Sequence, residues 1–318
     1  MTENSICSLK EYFGKIESIK VRPSDKDEDV KNWLFRGVTD SEHKLIPSVF
    51  HAKDKCKKCA CGESDCKNEP LKYDKKTTEF EVLTRFIREA YSYTDTSIPS
   101  REYHKWAEIA QHYGVPTRLM DWSSNALTAL YFACNDALQG NPGTEGVVWV
   151  INYREYNTFA GEKNNVCISP KIKGNGIFAN VVALTRSEGF NRTIDKLIET
   201  DDVSNSKTEH ETDTFSNGFD FKYPMLYPPI YANTRMSAQG SRFMVWGSIK
   251  KPLNCLLGDK MQEYIHKIRI PAGKKNCLLR ELDGVGISQK TLFPGLEGIA
   301  KTIEWRVRDK MQKQMQKD

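Results

Sequence analysis

Gln111-His112-Tyr113-Gly114-Val115-Pro116-Thr117-Arg118-Leu119-Met120-Asp121-Trp122-Ser123-Ser124-Asn125 changes structure three times in fifteen residues. Just upstream, Trp106, Ile109, Ala110 and Tyr113 recur at three and four residues, which predicts a helix over 102–113. Gly114 stops that helix and Pro116 forbids its continuation. Arg118 to Asp121 reads as extended. Asn125 is a good helix cap, and Leu127, Leu130, Tyr131, Phe132 and Ala133 follow in an apolar helix. Helix, strand and helix in such close order put both element types in one domain.

The flanking sequence extends the pattern. Trp33-Leu-Phe-Arg-Gly-Val38 is a short apolar run ended by glycine, a buried strand. Gly146-Val-Val-Trp-Val-Ile-Asn152 is β-branched and continuous, hence an interior strand. Ser241 to Gly247 and Glu263 to Ile270 also read as strands, and Tyr223 to Tyr231, with three prolines, as extended chain. Thr77 to Tyr91 is helical, with Thr78 and Glu81 in a capping-box pattern. Residues 274–282 and 295–312 read as helices, the last ending basic. The fold class is therefore α+β, a central mixed or antiparallel sheet flanked by helices.

The 318 residues are enough to bury a large core. The expected organisation is a helix and charged loop over 1–30, a main domain over 31–300 and a basic helix over 301–318. Two insertions interrupt the domain. One, 51–70, is rich in cysteine. The other, 195–220, carries eight acids and few apolar groups, which marks a mobile acidic loop. The net charge of +5 excludes an acidic solvating chain, but its Lys and Arg are too scattered to establish nucleic-acid binding. No run approaches the ~20 apolar residues of a membrane helix. Met1-Thr2-Glu3-Asn4-Ser5 does not begin a signal peptide. The expectation is a cytoplasmic protein with no membrane partner and reduced thiols.

Four of the nine cysteines, Cys56, Cys59, Cys61 and Cys66, fall within eleven residues. Four thiolates suit the tetrahedral soft-ligand site that zinc prefers, and a full set leaves no open position, so the metal would be structural. Lys53, Lys55, Lys57, Lys58 and Lys67 would offset its charge. His51 is an alternative ligand, and an iron–sulfur cluster an alternative occupant. Cys134 lies in an apolar helix and reads as core.

The block from Gln111 to Trp122, followed by Ala129-Leu-Tyr-Phe-Ala133, closely resembles the signature of the FRG domain family. That family takes its name from a Phe-Arg-Gly triplet, and Phe35-Arg36-Gly37 stands in the expected place. The likeness extends to Pro47-Ser48, to Arg235-Met-Ser-Ala-Gln239-Gly240 before Phe243, and to Gly286-Ile287 with Leu292-Phe-Pro-Gly-Leu-Glu297. It implies a bacterial or mobile-element protein of a kind suspected in defence against phage.

The order of motifs also resembles ADP-ribosyltransferases of the Arg-Ser-Glu type. That resemblance implies a related core and a site built from three strands. Arg36 would grip the NAD phosphates as a fixed fork. Ser123 or Ser124 would orient the nicotinamide ribose, and Trp122 or Tyr113 would stack on a ring. His112 would contact the nucleotide or act as a general base, with Arg118 and Asp121 beside it. The third position offers Gln239 in place of glutamate, so Glu297 or Asp121 would supply the charge that stabilises an oxocarbenium-like transition state. Each residue also has a structural role open to it. Arg36 would pair with Asp121 or Glu297, His112 would sit in the core, and one of Arg118 and Asp121 would brace the fold. The functional expectation is an NAD-using enzyme, transferring ADP-ribose to a protein or nucleic-acid acceptor or hydrolysing NAD, as a toxin-like or anti-phage effector. The alternative is a non-catalytic sensor that recognises a nucleic-acid or phage-derived ligand.

Overall fold

The structure is a computed structural model. It describes residues 6–20, 32–50, 79–93, 98–100, 102–140, 143–164, 194–195, 198, 222–229, 233–247 and 249–315. The cysteines at 56, 59, 61 and 66, His51, Thr78 and nearly all of the acidic stretch lie outside these residues.

Six strands form one sheet: β1 (Trp33–Val38), β2 (Leu119–Ser123), β3 (Gly146–Asn152), β4 (Met225–Tyr227), β5 (Ser241–Val245) and β6 (Ile265–Ile270). Their order is β4-β5-β2-β1-β3-β6, and every pairing is antiparallel. The α+β expectation holds, and of its two sheet types the antiparallel one is observed.

Period-two alternation divides the sheet between two cores. Trp33 and Phe35 face one core while Leu34 faces the other. Val148 and Val150 join the first, Ile151 the second. The Trp33 side is covered by α1 (Leu9–Lys20), α4 (Ala126–Cys134) and α9 (Lys275–Gly284). The Leu34 side is covered by α2 (Glu79–Ala90), α3 (Tyr103–His112) and α5 (Tyr153–Lys163). Shorter helices are α6 (Thr234–Ala238), α7 (Leu253–Leu257), α8 (Met261–Tyr264) and α10 (Gln289–Leu292). The last helix, α11, runs Leu296–Met315 and crosses the domain boundary expected at residue 300 without a break.

Helix α5 is absent from the sequence reading. Its cap is Asn152, whose side chain accepts from the backbone of Arg154 and Glu155. Asn157 pairs with both the N–H and the carbonyl of Leu226, at 2.9 and 2.7 Å. Asn164 does the same for Tyr223. Two helical amides thus take the place of a neighbouring strand at the β4 edge.

The tightest contact in the sheet lies between β1 and α4. A β-carbon on Gly37 would sit 1.7 Å from the carbonyl oxygen of Ala129 and 2.8 Å from the Ala133 nitrogen. On β3, one on Gly146 would sit 2.4 Å from the Ala133 carbonyl. Glycines on two strands and alanines on the helix let the backbones touch. Gly37→Ala should therefore lose at least about 3 kcal/mol, the top of the usual overpacking range. Gly14 is exposed within α1 with nothing near its missing β-carbon. Gly14→Ala should gain about 0.5–1 kcal/mol through helix propensity. Urea unfolding of both variants checks the contrast.

Candidate functional site

β1 pairs with β3 over six residues but with β2 at one position only, Phe35 opposite Ser123. Beyond that pair the two strands part. Arg36 enters the opening and donates from Nη1 to the main-chain carbonyl of Asp121 at 2.5 Å. A cavity of about 170 Å³ lies at this fork, walled by both strands, the end of α3, the face of α4 and residues 235–241. It is smaller than the ~300 Å³ at which pockets for drug-sized ligands begin, so it fits a ring or a phosphorylated sugar end rather than a whole dinucleotide.

Arg36, His112, Asp121, Trp122, Ser123 and Gln239 all line the cavity. Arg36 bonds to the Asp121 main chain; the Asp121 carboxylate is held by Gln111 Nε2 at 2.7 Å. The hydroxyl of Thr117 in turn donates to Gln111 Oε1. The turn between α3 and β2 thus fixes the one carboxylate of the cavity wall. His112 stands edge-on to Phe243, ring centres 5.8 Å apart, and its buried Nε2 has no partner. Burial lowers the His112 pKa against the pull of Asp121, which leaves a neutral imidazole at neutral pH.

Two expected contacts are already committed within the protein. The Ser123 hydroxyl donates to the Gln239 carbonyl at 2.7 Å and accepts from the Asn125 N–H at 2.9 Å. The Gln239 amide donates to the Leu292 carbonyl at 3.0 Å. Ser124 is exposed and donates to the carbonyl of Gly240. Gly240 has φ of +58°, and a β-carbon there would meet Ser124 Oγ at 2.8 Å, so the turn requires glycine.

Three expected residues lie elsewhere. Arg118 is fully buried and pairs with Glu79, its N–H and Nε donating at 2.6 and 2.7 Å. It ties α2 to the β2–β5 end of the sheet, where its carbonyl also accepts from Trp246. Arg118, not Asp121, is the brace. Tyr113 points to solvent. Glu297 is exposed on α11 and paired with Lys301. Among the described residues no cluster of His, Cys, Asp or Glu is placed to hold a metal.

Arg235 is the charged cavity residue that the sequence reading missed. Its guanidinium lies 4.4 Å over the Phe293 ring. It stands four residues before Gln239, a spacing that puts both on one helical face. Arg36 and Arg235 line one cavity, and among the described residues no carboxylate forms an ion pair with either. Their Nε atoms are buried without partners, as is Trp122 Nε1. Burial lowers the pKa of each arginine from its ordinary value.

Behind the wall, one helical turn before His112, Glu108 is buried near Tyr227, and burial raises its pKa to about 8. A raised carboxyl pKa makes the folded state hold its proton longer than the unfolded chain does. Stability from this group is full below about pH 4.5 and falls as pH climbs through about 8. Thermal melts across this range should show that loss, and Glu108→Gln should remove it. An unchanged slope in the variant would contradict the assignment.

No curated protein and no solved structure matches the chain. Residues 31–141 match the family model of the FRG domain. This span holds the fork, the end of α3 and the face of α4, while Arg235, Gln239 and Ser241 close the cavity from outside it. Over these 111 of its 318 residues the chain is similar to the FRG domain family.

Proposed function

We propose that the cavity binds the phosphorylated end of a nucleotide and that the protein is an NAD-using enzyme. The observation that carries this reading is the pair Arg36 and Arg235, which line one cavity with the held carboxylate of Asp121 and form no ion pair among the described residues. Burial disfavours the charge on both guanidinium groups more than Asp121 favours it, and an anion that takes their remaining donors would offset that cost. NAD would place its phosphate between them. Asp121 would face the ribose and stabilise positive charge as the bond to nicotinamide breaks. Nicotinamide leaves with the bonding electrons; water or an acceptor hydroxyl then attacks the ribose carbon. His112, neutral and with Nε2 unpartnered, would take the proton of that nucleophile. Of the two residues expected to supply that charge, Glu297 and Asp121, the proposal gives the role to Asp121. An ADP-ribosyltransferase-like core and a toxin-like or anti-phage role belong to this proposal.

A second reading is a non-catalytic sensor. The observation that favours it is the internal commitment of Ser123 and Gln239, which leaves neither hydroxyl nor amide to orient a ribose.

Calorimetry with NAD and ADP-ribose, together with nicotinamide release and label transfer to cell protein and RNA, separates the two. Arg36→Ala should weaken binding roughly ten- to a hundredfold, the worth of a hydrogen bond to a charged group. Asp121→Asn should keep binding while release falls by about a hundredfold. Binding without release or transfer supports the sensor, and absence of all three sinks both nucleotide readings.

We also propose structural zinc at Cys56, Cys59, Cys61 and Cys66. Metal analysis should give about one zinc per chain, lost in Cys59→Ser. A metal-free protein with four titratable thiols there would refute it.

A further inference from the structure

Helix α11 has two apolar faces. Gly298, Thr302 and Trp305 lie on the side that packs against the domain. On the other side Leu296, Ile299, Ile303, Val307, Met311 and Met315 are between 40% and 86% exposed. Five of these six stand at strict four-residue spacing from 299 to 315, which forms one continuous ridge along the helix.

The size of this ridge separates it from ordinary surface. Its exposed area is roughly 700 Å², above the few hundred Å² that a monomer commonly leaves bare. It approaches the about 800 Å² per partner of a standard protein interface. A ridge of four-residue spacing packs against a second ridge of the same kind, crossing at about −50°, the commonest class of helix contact. A copy of this helix presents such a ridge by construction, and a two-fold axis near Val307 would bring the two together. The rim carries both signs, with Glu304 on one side and Lys310 on the other. A mixed rim around an apolar centre is the anatomy of a protein contact, whereas an anionic membrane surface selects a basic one.

We infer that the protein is a homodimer formed through the outer face of α11, the two ridges packing across each other around Ile303, Val307 and Met311. This inference stands apart from the nucleotide reading.

Sedimentation equilibrium of the full chain tests it. The wild type should show twice the chain mass of 36.4 kDa at micromolar concentration. Val307→Glu and Ile303→Glu should each give monomer with a nearly unchanged melting curve, because both positions are about half exposed and belong to neither core. A wild-type monomer at every concentration would overturn the inference, as would a dimer that persists in both folded variants. So would a monomer that instead floats with vesicles of phosphatidylcholine and phosphatidylglycerol.

Discussion

Helix α4 lies so close to β1 that its Ala129 carbonyl occupies the space a side chain on Gly37 would need, and the site inherits its shape from that contact. Gly37 and Ala129 both wall the cavity. With α4 seated there, Ser123 and Asn125 must turn the chain sharply from β2 into the helix, which they do through paired side-chain and backbone bonds. β2 meets β1 only at its last residue, Ser123, where this turn begins; upstream of that pair the strands part, and Arg36 fills the gap. The Phe-Arg-Gly triplet is then three different physical requirements in a row. Phe35 packs a core, Arg36 bridges a fork, and Gly37 admits a helix.

Much of the fold was legible because its signals are local. The strand at 33–38, the stop at Gly114, the cap at Asn125 and the run at 146–152 each follow from one residue type in one place, and each has its element. Helix α5 was not legible. Its polar Asn157 and Asn164 break the apolar period because they pair with the β4 edge, a partner some sixty residues away.

The candidate site was legible as a set of residues but not as a set of roles. Arg36, His112 and Asp121 converge as expected. Arg118 is equally polar and sits only three residues from Asp121, yet Glu79 takes it out of the site altogether. Nothing near Arg118 in sequence announces a partner on α2. The same limit hid Arg235, whose place in the same cavity as Arg36 depends on the pairing of β5 with β2. Assigning roles required knowing which bonds were already made. Ser123 spends its hydroxyl on the Gln239 carbonyl and Gln239 its amide on the Leu292 carbonyl, whereas the two arginines keep donors to spare.

The central claim is that an anion belongs between those arginines. A crystal structure of the protein soaked with ADP-ribose tests it most directly. The account expects a phosphate within about 3 Å of Arg36 and Arg235 nitrogens, the usual length of a charged hydrogen bond, with the fork otherwise unchanged. A fork left empty while the ligand binds elsewhere, or an Arg36 turned away into an ion pair with the Asp121 carboxylate, would contradict it.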